Sequence, residues 1–561
     1  MRCRKNSTLN HGENKLKKIL ENDNKIIWKY ELYERVVKLS ITNILKELST
    51  RIPNKAAIID TKNSERISFG YLEKNSSKIA NMFKETGLKE GDGVLIFLPM
   101  SVALYSTLIA IFKMNLTAIF IDPYADIKYI ENCCKLFPPR GLVIADKKIG
   151  VLGLLNKGIR KIPHKFILED KIPFYKNLSE YENYSDKFDS MEIAGETKAL
   201  ITFTNEDGGI PKITARSHEF LLHQQEILSK SLDIDKDSKV LVSLPTFLFS
   251  NISSGITSIV PSVSLKKIED VDGNEITNQI AGENIDTIIA PPVFFSSLIE
   301  IYKNTGKNIH SIKKVYTGGS PVFPTFLEDL KKLFPYAEIK TIYGSAEAEP
   351  VAELFLHEVS DEDIEKMKIG NGLLVGKVRE ELELEIIENR MNDISENDKT
   401  EFLPKGSYGE IVVTGKHVQK SYLSGIVDDR IKINNEIWHK TGDLGYLDEE
   451  NRLWLLGRAK AEIIKGNKSI YPFSVETILS FEKNIVRTAI FELKGRILLF
   501  VELVVFGNEK DFETQDIMEE KINGMNLGVD KVIFIEKIPV DKRHNGKVDY
   551  NNLSKIAEKY N

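Results

Sequence analysis

The sequence predicts an α/β protein: a large region of parallel βαβ units, an antiparallel β-subdomain and a small α+β region at the C-terminus. Three observations predict it. The chain has 561 residues, more than one hydrophobic core can organise, so two or more domains are expected. From Leu32 onward, short apolar runs alternate with runs of helical periodicity, and strand–helix–strand repetition builds parallel sheets. The pattern then changes: "GEIVVTG" and "RLWLLGR" read as antiparallel strands, and the chain from Ala461 has a βα pattern of its own.

Residues 1–27 are polar and basic, with no apolar run of the kind a signal peptide needs. They read as a disordered extension. "KAAIID" (Lys55–Asp60) reads as a strand. Ser68–Gly87 has helical spacing and ends in glycine. Val94–Phe112, "VLIFLPMSVALYSTLIAIF", is uncharged for 19 residues and long enough for a membrane span. Pro99 divides it, however, and a buried strand followed by a helix fits better. No transmembrane segment is expected. "TAIFID" (Thr117–Asp122) is the next strand, followed by "HKFILED", "ALITFT", "KVLVSL", "TIIA", "KKVYTGG" and "IKTIYG". Ligands of parallel sheets gather at the carboxyl ends of strands. "TFTNEDGG", "YTGGSP" and "IYGSAEAEP" are therefore the candidate site loops. Residues 386–406 are polar and read as an exposed loop.

Net charge is −5, which gives no footing for a nucleic-acid binder. The three cysteines are Cys3 and the adjacent Cys133 and Cys134. Neighbours make a poor disulfide and no metal-ligand spacing exists, so a reducing, cytoplasmic setting is expected.

Five motifs occur in one order: "IYGSAEAEP", "GEIVVTGKHVQKSYL", "TGDLGYLDEENRLWLLGRAK", "IIKGNKSIYPFSVE" and "NGKVDY". Together they resemble the adenylate-forming superfamily, which includes acyl-CoA synthetases, peptide-synthetase adenylation domains and luciferases. The resemblance covers about residues 30–555. It implies activation of a carboxylic acid with MgATP to an acyl-adenylate and pyrophosphate, then transfer to a thiol or another nucleophile. It also implies a large AMP-binding domain over 28–459 and a small, mobile C-terminal domain over 460–561, with Lys460 at the hinge.

The resemblance assigns roles that elementary chemistry supports. Asp443 in "TGD" would accept both ribose hydroxyls, since a carboxylate can take two hydrogen bonds from a vicinal diol. Alone, it reads equally well as a turn Asp beside Gly442. Tyr343 in "YGSAE" would stack on adenine, with Gly344 beside it; otherwise it is a core Tyr at a strand end. Gly318, Gly319 and Ser320 would form the turn whose backbone reads the base edge. Glu347 would be the Mg²⁺ ligand, sharing the ion with phosphates and water, and Ser345 would reach a phosphoryl oxygen. Glu349 is an extra acid, expected at the surface or behind the ligands. Arg458 would close over the ribose. Lys547 in "NGKVDY" would be the catalytic lysine, stabilising charge that develops as the carboxylate attacks the α-phosphorus.

The phosphate loop departs from the family pattern. In "TNEDGGIPK", Thr204, Gly209, Pro211 and Lys212 fit, but Asn205, Glu206, Asp207 and Gly208 do not. Such a loop ordinarily offers hydroxyls and backbone N–H groups to phosphates. Two carboxylates oppose that, at roughly 1 kcal/mol each for a phosphate about 4 Å away in water.

"SLPTFLFSNISSG" (Ser243–Gly255) resembles the segment lining the acyl pocket, with Phe247 and Phe249 as pocket residues; they read equally as core. Without an acid there for an α-amino group, an apolar fatty or aryl acid is implied. Segments such as "GDGVLIFLPMS", "LPTFLFSN" and "TARSH" resemble fatty-acyl ligases and the β-lactone synthetases of olefin biosynthesis. No phosphopantetheine attachment site follows residue 550. The acceptor is then free CoA, phosphopantetheine on a separate carrier protein, or an internal hydroxyl. Three readings stand: an acid–thiol ligase, an enzyme that closes an adenylated β-hydroxy acid to a β-lactone, and a nucleotide-binding relative without turnover.

Overall fold

The computed structural model describes residues 41–560 except 123–124, 148–149, 152–155, 170, 192, 205–210, 264–270, 390–399, 420–429, 467, 505–508 and 541–545. It is an α/β fold with two large sheets and a small C-terminal sheet. The acidic segment 205–208 and Gly209 lie outside the described residues, as does the extension 1–27.

The first sheet has seven strands. Gly93–Phe97 sits at its centre, parallel to Thr117–Phe120 and Gly141–Ile144. Lys198–Thr204 continues the parallel order beyond Thr117–Phe120. Lys212–Ser217 folds back antiparallel along it, so the phosphate segment joins the two strands of one hairpin. Val94–Phe112 is a strand and a helix, as its proline predicts: Ser101 caps Val102–Lys113 by accepting a hydrogen bond from Leu104 N. No described helix is long and apolar enough to cross a membrane.

The second sheet has 14 strands and changes character along its width. Ala56–Asp60, Thr257–Val260, Lys239–Val242, Thr287–Ile289, Lys314–Gly318 and Glu338–Ser345 are parallel. Beyond Glu338–Ser345 the pairing is antiparallel, through Ala348–Phe355, Leu373–Val378, Arg452–Arg458, Glu436–Leu447 and Gly409–Gly415. The β-subdomain is thus continuous with the parallel sheet. Burial alternates along Leu382–Ile387 but is almost unbroken in Thr287–Ile289 and Lys314–Gly318. That difference is expected of a sheet with one open face beside one covered on both.

The C-terminal sheet pairs Ile485–Leu493 antiparallel with Arg496–Leu503, and the latter parallel with Lys531–Ile535. Its core, including Ile490, Leu499, Val501 and Ile522, is separate from those of the large sheets. Cys133 and Cys134 are buried and unbonded on the helix Ile127–Leu136.

Arg452 ties the antiparallel half to a helix. Its Nη1 and Nη2 donate to the two oxygens of Asp363 at 2.9 and 2.8 Å, and its Nε donates to Asp448 at 2.8 Å. Trp454 Nε1 donates to the same Asp448 oxygen at 3.0 Å. Burial alone would raise the Asp363 carboxyl, but hydrogen bonds from Arg452 and Ser360 hold it below its ordinary range. Arg452→Ala leaves Asp363, whose side chain is 1% exposed, charged and unpaired. The expected loss is about 3–5 kcal/mol in denaturant unfolding. A loss under about 1 kcal/mol, typical of an exposed pair, would show that water replaces the guanidinium.

Candidate active site

Both large sheets present strand ends to one cavity of ≈ 3110 Å³. Its wall includes Gly318, Gly319, Ser320, Tyr343, Gly344, Ser345, Glu347, Asp443, Arg458, Lys460 and Lys547. Residues nearly 230 positions apart in the chain therefore face one space, a convergence that only the fold produces.

Gly318 ends a parallel strand. A Cβ there would lie 2.2 Å from the carbonyl oxygen of Ile342, so no side chain fits. Gly319 follows with φ +83 and nothing within 4 Å of its Cβ position. The backbone there is therefore open to the cavity. Tyr343 lies on the neighbouring strand, Glu338–Ser345. Its hydroxyl donates to Asp443 Oδ2 at 2.8 Å. Burial, and then the Asp443 charge, push that hydroxyl well above the ordinary tyrosine range, so it stays a donor.

Asp443 belongs to the long strand Glu436–Leu447 and stands opposite Arg458 in register. Arg458 Nη1 donates to Asp443 Oδ1 at 2.9 Å. Gly442 has φ +70, and a Cβ on it would stand 3.3 Å from Arg458 Nη2. The glycine of "TGD" therefore makes room for this guanidinium. The reading of Asp443 as an ordinary turn residue is corrected, because strand pairing and two partners hold it. Each of its oxygens has one described partner and keeps a second acceptor site, which is what a vicinal diol requires.

Glu347 sits in the hairpin between Glu338–Ser345 and Ala348–Phe355. Ser345 Oγ accepts from its backbone N at 3.3 Å, and Thr214 Oγ1 donates to Glu347 Oε1 at 3.4 Å. Gln419 N donates to the Glu347 carbonyl oxygen at 2.8 Å. No group of three or more His, Cys, Asp or Glu able to hold a metal exists among the described residues. The donor set fits Mg²⁺ only as an ion shared between one carboxylate and the phosphates of a substrate.

Thr204 and Lys212 pair as the last and first residues of their hairpin strands; Gly209, between them, is not described. Phe247 and Phe249 lie on the helix Pro245–Ser253, buried in the core and also lining the cavity. Phe249 meets Phe112 edge-on at 5.8 Å, and Phe112 meets His218 at 5.4 Å. Lys460 is exposed in the short turn Ala459–Ala461. Lys547 is exposed to the cavity one residue beyond Gly546 and two before Asp549, which caps the helix Tyr550–Ala557.

Four further residues of the cavity region were given no site role by the sequence. Thr214 and Arg216 project from one face of Lys212–Ser217, and Arg216 Nε donates to Ala346 O at 3.0 Å. Their i, i+2 spacing in "KITARS" was the available signal. Glu349 is half-buried and lines the cavity, and burial pushes its carboxyl up to about 7 against the opposing charge of Arg216. Glu476 on Pro472–Ser480 is the fourth. Burial pushes it up to about 8, although Tyr550, whose hydroxyl donates to it at 3.4 Å, and Arg487 oppose the rise.

Glu476 carries a pH prediction. Its folded pKa lies above the ordinary value of 4.5, so the folded state binds more protons than the unfolded chain between 4.5 and about 8. Stability should fall as pH rises through that window and lose nothing further above it. Glu476→Gln should flatten this part of the melting-temperature profile. An identical slope in the variant would assign it to other groups.

The two large sheets with their small C-terminal sheet, and the cavity onto which the Gly318–Gly319 turn and the Asp443 carboxylate open, define an adenylate-forming fold. The chain belongs to the AMP-binding enzyme family, whose model matches residues 45–423, and it is an adenylate-forming ligase. It is 23% identical over 510 residues to the olefin β-lactone synthetase of Xanthomonas campestris pv. campestris, covering 87% of this chain and 90% of that one. It is 23% identical over 519 residues to 4-coumarate-CoA ligase 1 of Narcissus pseudonarcissus, covering 88% and 89%. Among solved structures, the anthranilate CoA ligase AuaEII with anthranoyl-AMP matches with a TM-score of 0.78 at 14% identity, over 93% of this chain and 98% of that one. O-succinylbenzoate coenzyme A synthetase (MenE) from Bacillus subtilis with AMP matches with a TM-score of 0.71 at 20% identity, over 91% and 98%.

Proposed function

We propose that this protein activates an apolar fatty or aryl carboxylic acid with MgATP and passes the acyl group to a thiol, CoA or a carrier-protein phosphopantetheine. The observation that carries the reading is the Asp443 carboxylate, held between Tyr343 and Arg458 on the wall of the cavity that Lys547 also lines. Asp443 binds the ribose diol, the face of Tyr343 takes adenine, and Gly318, Gly319, Ser320 and Gly344 frame the base. Thr204, Gly209, Lys212 and Ser345 serve the phosphates. Mg²⁺ at Glu347 neutralises phosphate charge when bound. A carboxylate oxygen attacks the α-phosphorus, and the bond to the β-phosphate oxygen breaks to release pyrophosphate. Lys547 stabilises the charge that develops. A thiolate then takes the acyl carbon and AMP leaves. Phe247 and Phe249 shape the acyl site. The boundary at 459/460, with Lys460 as hinge, is supported by the separate C-terminal core.

A second reading, closure of an adenylated β-hydroxy acid to a β-lactone, is favoured by the olefin β-lactone synthetase relatives. ATP–pyrophosphate exchange with a panel of acids tests adenylation, and product analysis with and without CoA separates the two fates. No exchange with any acid would leave the reading without turnover.

The acidic phosphate segment gives a further expectation. The combined change Asn205→Ser, Glu206→Gly, Asp207→Ser and Gly208→Thr should lower the KM for MgATP if the two carboxylates face phosphate. The gain should shrink as Mg²⁺ rises. An unchanged KM would place those charges beyond the screening length of roughly 8 Å.

A further inference from the structure

Two hydrophobic cores meet across a very short stretch of chain. Ala459 belongs to the core of the antiparallel half, and Ile463 to the separate C-terminal core. Lys460, Ala461 and Glu462 lie between them, the first two in the 3₁₀ turn Ala459–Ala461. That turn closes on a hydrogen bond from Glu462 N to Ala459 O at 3.5 Å, too long to fix the angle between two cores by itself.

Asn389 adds a restraint from outside the segment. It stands two residues beyond the strand Leu382–Ile387, which is held in the large sheet by pairing with Gly409–Gly415 and by a bridge from Ile387 to Phe402. Asn389 Nδ2 donates to Ala459 O at 3.3 Å and to Glu462 Oε2 at 2.6 Å. A carbonyl and a carboxylate only accept, so the amide nitrogen faces them and both of its hydrogens are used. One bond ends on a residue of the large core, the other on the residue just before the C-terminal core. The pair thus spans Lys460, and a change of angle there moves Glu462 away from Ala459 and breaks one of the two bonds. The same orientation is held farther along, where Thr325 Oγ1 donates to Ser480 O at 3.0 Å and Tyr471 and Phe473 pack on the large core. Asn389, Ala459, Glu462 and Lys547 all line one cavity.

We infer that Asn389 is a positioning residue: its side chain clamps the hinge at Lys460 and so holds the C-terminal region with Lys547 on the cavity wall. The inference rests on the hinge and the adenylating role proposed above. Asn389 acts without touching a substrate. Its effect falls on the step that uses Lys547, because a change of hinge angle displaces that lysine, and a misplacement of about 1 Å can cost on the order of 10²-fold in rate. Transfer from an acyl-adenylate already formed does not use Lys547 and does not depend on the clamp.

The test inverts the clamp's donor and acceptor in the full-length protein. Asn389→Asp sets a second carboxylate against Glu462. Glu462→Gln alone keeps an acceptor for Asn389. Asn389→Asp combined with Glu462→Gln restores a hydrogen bond with its direction reversed. In pyrophosphate exchange, Asn389→Ala should lose about tenfold in kcat and Asn389→Asp more, with little change in the KM for the acid. The double variant should recover most of what Asn389→Asp loses, and Glu462→Gln should change little. Thiol transfer from supplied acyl-adenylate should be much less affected in every variant. Tryptic cleavage after Lys460, located by mass spectrometry, reads the clamp without turnover. Asn389→Asp should speed it by about threefold or more, the factor expected for losing one ordinary hydrogen bond, and the double variant should slow it again. That cleavage pattern, without exchange by the wild type on any acid, would support the clamp and count against the ligase reading alone. An unchanged kcat for exchange in Asn389→Asp, equal losses in exchange and transfer, no recovery in the double variant, or cleavage that no variant alters would each overturn the inference.

Discussion

Lys547→Ala should slow acyl-adenylate formation by about 10²-fold or more, on the order of 3 kcal/mol of transition-state stabilisation. The ammonium acts on charge that appears only as the α-phosphorus is attacked, so the loss should fall on kcat more than on KM for the acid. Transfer from supplied acyl-adenylate to the thiol should change much less, because that step no longer involves the α-phosphorus as electrophile. Single-turnover pyrophosphate release and thiol transfer, measured separately, check this. Equal losses in both steps would make Lys547 a structural residue, holding the turn between Val548, which bridges to Val540, and the cap at Asp549.

Asp443→Ala should weaken ATP binding by roughly 10- to 10²-fold, the equivalent of one or two hydrogen bonds to a charged group. Two effects combine. The ribose loses its acceptor, and the Tyr343 hydroxyl and Arg458 lose the carboxylate they share. Asp443→Asn separates these effects: it keeps one acceptor and the shape, so its loss should be smaller. Tyr343→Phe removes only the 2.8 Å contact and should cost less again. Equilibrium binding of ATP by all three variants gives the ranking. An unchanged affinity in Asp443→Ala would remove this residue from the nucleotide site.

Much of this was legible in the residues. Pro99 divided the 19-residue apolar run correctly because a proline interrupts a helix whatever surrounds it. The parallel strands were visible because burial on both faces demands unbroken apolar runs such as "VLIFL" and "TIIA". The glycines of "YTGGSP" were visible as places where the backbone must do what other residues cannot, whereas the room that Gly442 leaves for Arg458 was not. Asp443 as a strand residue was not, since "TGDLGY" has the composition of a turn and only pairing with Arg452–Arg458 holds it extended.

The sequence by itself determined the family, the succession of strands along the chain and the residue types in the site motifs, because each depends on local pattern or on a contiguous motif. Tertiary structure decided which of those residues share a cavity. It also decided the fate of the charges. Glu349 and Arg216 look like many surface residues in sequence, yet the fold buries Arg216 and half-buries Glu349 on the cavity wall. The physical reason is that burial is a property of what packs against a residue from elsewhere in the chain, and a carboxyl's pairing and pKa follow from that enclosure, not from its neighbours in sequence.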